Sequence, residues 1–204
     1  MAESLSKNAQ LLKFFAQTYP GIPRKRLVKL SYMADLVARQ FLGHPISQFE
    51  YHAYYYGPYS QELPEAIAEL ETAGLAWSKE EGRSQPDDVA RKRLFDTGKP
   101  AALDFSLGEN SVLGYVVSNF GEMDLDELIL DFVYASRPYR AALVRERFNE
   151  RIPMEIVDNE GRGEVGFDLE RAIGAERQAD EGQFLTAKDY FDGLRSRIAA
   201  RYPT

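Results

Sequence analysis

An aromatic stretch at residues 49–63, FEYHAYYYGPYSQEL, constrains the fold more than any other part of this 204-residue sequence. Its first residues alternate between two faces, which is the period of an extended strand. One face carries Phe49, Tyr51, Ala53 and Tyr55, and the other carries Glu50, His52, Tyr54 and Tyr56. Gly57-Pro58 follows, and because proline fixes its own φ and restricts the preceding residue, the pair predicts a rigid corner. We expect Ser60 to cap a helix whose first turn holds residues 61–64.

The composition narrows the class of protein. The sequence is 44% hydrophobic and 12% aromatic, which is typical of a globular chain with a sizeable core. It has no cysteine, no apolar run of membrane-spanning length and no signal-peptide pattern at residues 1–10, so we expect a cytoplasmic protein. The net charge of -7 argues against broad phosphate binding and suits a basic protein partner.

Helical periodicity dominates the first part of the chain. It predicts helices over residues 4–19, over 23–42 with Gly43 at the C′ position, and over 63–73 with Gly74 as the terminator. A strand at 75–78, a charged loop at 79–90 and a strand at 91–96 follow. A helix followed by such a hairpin is typical of a winged-helix element. The predicted fold class is therefore mainly α with a small β-hairpin or short sheet, an α+β chain.

The second part of the chain has two helix-start signals of the capping-box type. Ser106 with Glu109 precedes a predicted helix that ends at Gly121, and Asp124 with Glu127 precedes the next. A further helix around Pro138 extends to residue 148. We predict a helical domain over 1–148 and a C-terminal extension over 149–204, with a short strand at 151–158 and a terminal helix at 186–201.

The segment from residue 29 to 63 resembles the signature of the Panacea, or SocA-like, antitoxin domain. The matching positions are Lys29, Leu30, Tyr32, Ala34, Asp35, Gly43, Gly57, Pro58, Glu62 and Leu63. Weaker matches extend the resemblance to about residues 5–145, and the chain has Tyr55 where that family usually has Trp or Phe.

The resemblance implies an antitoxin of a toxin-antitoxin system that neutralises a cognate toxin by direct protein contact. It further implies a second role, as an adaptor that delivers the bound toxin to a cytoplasmic protease, and an association with phages.

The sequence contains no recognisable set of catalytic or metal-binding residues. The two histidines, His44 and His52, stand eight positions apart without cysteines or a metal-ligand spacing, so no metal and no cofactor is predicted. Structural roles are favoured for both, at the helix exit and on the polar face of the strand. No nucleophile elbow, dinucleotide fingerprint or P-loop is present. A hydrolase that uses His52 with nearby acids is kept as a hypothesis, and we expect no enzyme.

Binding of DNA by the winged-helix element is the main alternative. The predicted third helix carries Glu62, Glu65, Glu69 and Glu71 but no Lys or Arg, which opposes its entry into a major groove. A basic cluster opens the second helix, and it can contact a partner, pair with the acidic third helix or be solvated. This cluster consists of Arg24, Lys25, Arg26 and Lys29. A transcriptional regulator of this kind would bind its own promoter in a salt-dependent manner.

The tyrosines are the remaining candidates for recognition. Tyr54, Tyr56 and Tyr59 alternate outward or lie at the corner, and with Glu62 and Glu65 they form the predicted partner-binding surface. Packing of the same rings in the core is an open alternative. A structural motif of five residues is predicted to lock the strand against the second helix, so that changes there damage folding first. Its members are Lys29, Tyr32, Asp35, Gly57 and Pro58.

Overall fold

The computed structural model describes residues 4–54, 57–81, 91–143 and 149–155. Helices dominate these ranges, and short antiparallel strands lie between them. The helices are α1 (Lys7–Thr18), α2 (Arg24–Leu42), α3 (Leu63–Thr72), α4 (Leu107–Phe120), α5 (Leu125–Glu127), a π-helix (Leu128–Val133) and α6 (Arg137–Leu143). The strands are β1 (Ile22–Pro23), β2 (His52–Tyr54), β3 (Gly57–Tyr59), β4 (Ala76–Glu81) and β5 (Arg91–Asp96). The predicted class, mainly helical with small antiparallel sheets, is confirmed.

The N-terminal part of the fold is a winged-helix-like arrangement. Strand β5 pairs with β4 on one side and with the two-residue β1 on the other, giving the order β1-β5-β4. Helix α3 packs against α1 and β4. We call β4 and β5 the wing hairpin. The predicted loop begins at Lys79, but Lys79 and Glu80 extend β4, where they lie opposite Arg93 and Lys92 of β5. Only the Glu80–Lys92 pair has the opposite charges that favour cross-strand pairing.

Helix α2 is the centre of the molecule. It packs against α1, α4, β3 and the π-helix, and most of its residues from Leu27 to Ala38 are buried. A helix with apolar contacts on several sides lies inside the core, whereas an amphipathic surface helix buries only one side. It ends where the sequence predicts, since Gly43 adopts the left-handed conformation with φ of 81° and its N–H bonds to the Arg39 carbonyl.

Strands β2 and β3 form a second antiparallel pair, which we call the tyrosine hairpin. The predicted alternation is confirmed for the described residues, since Phe49, Tyr51 and Ala53 are buried and Tyr54 is exposed. Residues 55 and 56 lie outside the described ranges.

The predicted corner at Gly57-Pro58 is wrong. These two residues begin β3, in which Pro58 lies opposite Ala53 and Gly57 lies opposite Tyr54. Proline is tolerated because β3 is an edge strand, where a missing N–H removes no ladder bond. Gly57 has a φ of 90°, and a Cβ there would lie 3.2 Å from the Lys29 Nζ and from the Tyr134 ring, so only glycine fits.

The start of α3 also differs from the prediction. The helix begins at Leu63 with Glu62 at the N-cap position, and Pro64 lies in the first turn as expected. Ser60 does not cap the helix through its side chain, because its hydroxyl donates a hydrogen bond to the Glu62 carboxylate instead.

The capping signals in the second part of the chain are confirmed. Ser106 and Glu109 form a reciprocal capping box at α4, and the Asp124 carboxylate accepts from the N–H groups of Asp126 and Glu127. The π-helix that continues α5 was not predicted. Helix α6 begins at Arg137 with Pro138 in its first turn, and residues 144–148 lie outside the described ranges. No described helix combines the length and apolar character needed to cross a membrane.

Residues 149–155 pack onto the tyrosine hairpin from the side opposite β3. Three backbone hydrogen bonds of 2.7–3.0 Å join this segment to Tyr51 and Ala53, and Arg151 pairs with His52. Ile152 and Met154 are buried in the common core. The segment thus belongs to the same core as α2, although the predicted extension begins at 149. The division into 1–148 and 149–204 stays a prediction, and the terminal helix at 186–201 lies outside the described residues.

Replacing Ile152 tests this attachment. Ile152→Ala removes a side chain that is only 1% exposed, and we expect it to lower the free energy of unfolding by about 2–5 kcal/mol in urea denaturation. Leu143→Ala is the control, because that side chain is 49% exposed and its loss should change stability by less than about 0.5 kcal/mol. Equal stability of both variants would show that residues 149–155 do not fold with the domain.

Candidate functional site

A buried carboxylate on α2 holds the segment that leads into the tyrosine hairpin. Asp35 Oδ1 accepts from the backbone N–H groups of Ile46 at 2.9 Å and Ser47 at 2.8 Å. Its Oδ2 accepts from the hydroxyls of Ser47 and Tyr51, the latter at 2.7 Å. Burial raises the pKa of the Asp35 carboxyl, and these four hydrogen bonds oppose that rise. The side chain therefore fixes residues 46–51 relative to α2.

Lys29 holds the other strand of the hairpin. Its Nζ is buried and donates a 2.7 Å hydrogen bond to the Pro58 carbonyl. Burial, with a smaller contribution from the charge of Lys25, lowers the pKa of Lys29 to about 7. A backbone carbonyl of β3 is thereby tied to a helix 29 positions earlier in the chain.

Tyr32 lies between these two residues on α2 and contacts a third segment. Its hydroxyl and the Ser136 hydroxyl are hydrogen bonded at 2.8 Å, just after the π-helix. Its ring packs edge-on against Tyr51 with centroids 5.2 Å apart. Lys29, Tyr32 and Asp35 thus each contact a different later segment of the chain, and their assignment to folding rather than recognition stays a prediction.

The outward side of the tyrosine hairpin is a partly exposed sheet face. We define the hairpin face by residues that share this side in the strand register: Glu50, His52, Tyr54, Tyr59 and Arg151. Tyr54 is 43% exposed, and its ring lies 5.8 Å from that of Tyr59. Buried residues 51 and 53 anchor the face from behind. The arrangement presents two aromatic rings beside charged groups on a fixed support.

The predicted partner-binding residues are only partly brought together. Tyr54 and Tyr59 are neighbours on the hairpin face, whereas Tyr56 lies outside the described residues. Glu62 is half-buried and accepts a bond from Ser60 at the N-cap of α3. Glu65 is exposed in the first turn of α3. Their role in binding stays a prediction.

Sequence reasoning places Glu50 and His52 on this face but does not name them as partner-binding residues, and it misses Arg151. The His52 Nδ1–H donates to the Asn149 carbonyl at 3.0 Å, and Glu50 lies 3.9 Å from its Nε2. The alternation placed Glu50 and His52 beside Tyr54, which was a usable signal. Arg151 had no local signal, because its strand partner is about a hundred positions away.

The basic start of α2 does not pair with α3 through Arg26 or Lys29. Arg26 donates to the carbonyls of Gly121 at 2.6 Å and Met123 at 2.8 Å, next to the end of α4. A cation there is stabilised by the negative end of the helix dipole, which explains the placement better than an ion pair does. Both basic residues bind backbone oxygens and so serve the fold.

A cavity of about 200 Å³ lies away from the hairpin face, between α3 and the wing hairpin. Arg24, Lys92 and Glu71 line it together with Pro64, Ile67 and Leu94. Its charges are of mixed sign. Within the described ranges, no group of three or more His, Cys, Asp or Glu side chains could hold a metal ion.

Substitutions at Asp35 test its structural role. Asp35→Ala leaves two buried N–H groups and two hydroxyls without their acceptor, and we expect a loss of at least about 3 kcal/mol in the free energy of unfolding. Asp35→Asn is the matched control. Its amide oxygen can accept the bonds from Ile46 and Ser47, while its amide nitrogen can donate to the hydroxyls. In urea denaturation, the free energy of unfolding should therefore be much higher for Asp35→Asn than for Asp35→Ala. Equal losses in the two variants would contradict this geometry.

Lys29 predicts a pH dependence of stability. The pKa of its ammonium is about 7 in the folded chain and near the ordinary 10.5 in the unfolded chain, so the folded state disfavours the charge. Its penalty is full below pH 7 and disappears as the pH rises from 7 to 10.5. Relative to Lys29→Met, the free energy of unfolding of the natural chain should therefore increase between pH 7 and pH 9.5. Parallel pH profiles of the two proteins would show that Lys29 stays charged when buried.

Comparison with known proteins gives one family. Residues 27–136, more than half of the chain, match the family described as Antitoxin SocA-like, Panacea domain. The matched region contains most of α2, the tyrosine hairpin, α3, the wing hairpin and α4 through the π-helix. Comparison with curated proteins and with solved structures gives no match. The chain belongs to the SocA-like antitoxin family and carries its Panacea domain.

Proposed function

We propose that this protein is the antitoxin of a toxin-antitoxin system and neutralises a cognate toxin by direct contact through the hairpin face. Membership of the antitoxin family supports the role, and the family is generally non-enzymatic. The observation that carries the choice of surface is the contact between the exposed Tyr54 and the half-buried Tyr59, on two paired strands whose other side is buried. A cytoplasmic location and the phage association implied by the resemblance are part of this proposal.

Tyrosine rings suit this task for a physical reason. They offer a large contact area with only two rotatable side-chain bonds, and they are enriched among the residues that dominate binding energy. Here Asp35 and Lys29 hold both strands behind the rings. A support that is already ordered reduces the conformational entropy lost on association.

The charges near the hairpin favour a basic partner. Glu50 is half-exposed on the face, and Glu65 is exposed in the first turn of α3, directly after the hairpin. The net charge of the whole chain is -7. Complementary charge raises the rate of association and disfavours wrong partners. We therefore propose a toxin whose contact surface is positively charged around an apolar patch.

DNA binding is the alternative, and the winged-helix-like arrangement is the observation in its favour. The helix that would enter the groove is α3, which exposes Glu65 and Glu71. These carboxylates would face a duplex with one negative charge per ~1.7 Å. The hydrolase hypothesis needs His52, and the Nδ1 of His52 is hydrogen-bonded to the Asn149 carbonyl on the hairpin face. The protease-adaptor role stays an implication of the resemblance.

Growth on co-expression tests the proposed function. The open reading frame adjacent to this gene should be toxic when expressed alone and harmless when expressed with this chain. In that assay Tyr54→Ala should abolish rescue and weaken binding of the purified toxin about 30-fold, the effect of losing about 2 kcal/mol at a central interface tyrosine.

Trp77→Ala is the matched control for this change. Trp77 is an aromatic residue of similar exposure, 46%, but it lies on the wing hairpin, stacked on Phe95. We expect it to keep full rescue. Loss of rescue by Trp77→Ala and not by Tyr54→Ala would move the binding surface to the wing, and a harmless neighbouring gene product would remove the antitoxin proposal.

A further inference from the structure

Arg151 lies outside the family-matched region but inside the hairpin face. The match ends at residue 136, whereas Arg151 pairs with His52 at the centre of the face. His52 is flanked by Tyr59 on its other side. The face is therefore three residues wide, and the third column comes from the C-terminal segment.

The guanidinium of Arg151 is placed for contact with another molecule. Its side chain is 53% exposed, its Nε lies 3.0 Å from the Glu50 carboxylate, and its Nη1 donates to Glu155 at 3.3 Å. A guanidinium has five N–H groups in a planar fork, more than these two contacts use. The same fork can bind a further carboxylate with two parallel hydrogen bonds.

We propose that Arg151 is a partner-binding residue that contacts a carboxylate of the toxin and determines which toxin is recognised. This inference rests on the proposed function. A basic toxin surface would thus have to present an acidic side chain beside the pocket for Tyr54. Arg151 would repel partners that place a positive group at this point, because like charges in contact cost several kcal/mol.

A purely structural role for Arg151 is the competing explanation. The ion pair with Glu50 joins the C-terminal segment to a residue two positions before β2, so it could serve only to hold that segment. Exposed pairs of this kind contribute about 0–1 kcal/mol. Ile152 and three backbone bonds already attach the segment. The two roles differ in one respect: if the pair is only structural, neutralising Glu50 and neutralising Arg151 should have the same effect.

Neutral variants of the two members separate these roles. Arg151→Gln and Glu50→Gln break the same ion pair, but only the first removes the guanidinium. Urea denaturation of both variants should show nearly unchanged midpoints, because an exposed pair contributes little to stability.

In binding to the purified toxin, we expect Arg151→Gln to raise the Kd tenfold or more. Glu155→Gln is the binding control, because it breaks the other ion pair of Arg151 but lies outside the hairpin face, and it should change the Kd less than threefold. The loss should shrink at high salt, since a rim charge is screened. Equal effects of Arg151→Gln and Glu155→Gln on the Kd would overturn the proposal.

A charge swap gives the second test. Glu155→Arg combined with Arg151→Glu can rebuild the i,i+4 ion pair of these two residues with its sign reversed, and its melting curve shows whether the fold is kept. We expect the swapped protein to fold and to bind at least tenfold more weakly. Binding at natural strength would overturn the role of Arg151. In the same assay Tyr54→Ala tests the proposed function, which stands if that variant loses binding. If the natural chain binds no toxin, both the proposed function and this inference are wrong.

Discussion

Three polar side chains on one buried helix each hold a different later segment of the chain by hydrogen bonds. Lys29, Tyr32 and Asp35 of α2 bond to the Pro58 carbonyl, the Ser136 hydroxyl and the amides of residues 46 and 47. A polar group removed from water without a partner costs several times what a satisfied bond contributes, so these groups tolerate only chain paths that satisfy them. Apolar packing makes α2 the core, and the three polar contacts select how later segments lie against it.

The two sides of the extended stretch that contains Tyr51 and His52 have different roles: the inner side holds the fold, and the outer side is the proposed binding surface. Tyr51 points inward to Asp35, whereas His52 points outward between Tyr59 and Arg151. The inner contacts are buried and fully bonded, whereas the outer residues are half-buried or exposed. A surface supported in this way is already ordered before it meets a partner, which favours affinity for a given contact area. The same logic explains why changes in the motif on α2 are expected to act on folding and changes on the hairpin face on binding.

Local signals predicted much of the helical frame. Gly43 at the end of α2 and the Ser106–Glu109 capping box at the start of α4 are short-range patterns, and the structure has both. The predicted strand-to-helix corner at Gly57-Pro58 is wrong because the pair begins β3, and the edge position that tolerates proline is a tertiary property. The pairing of Arg151 with His52 and the π-helix depend on packing between distant segments, for which periodicity carries no information.

Amide hydrogen exchange of the free chain and of its complex with the neighbouring gene product tests the central claim most directly. The claim is that the outer side of the tyrosine hairpin, completed by the C-terminal segment, is the surface that holds the toxin. Added protection should then concentrate in residues 50–54, 57–59 and 149–152, with little change in β4 and β5. Protection confined to the wing hairpin and α3, with the tyrosine hairpin unchanged, would contradict it.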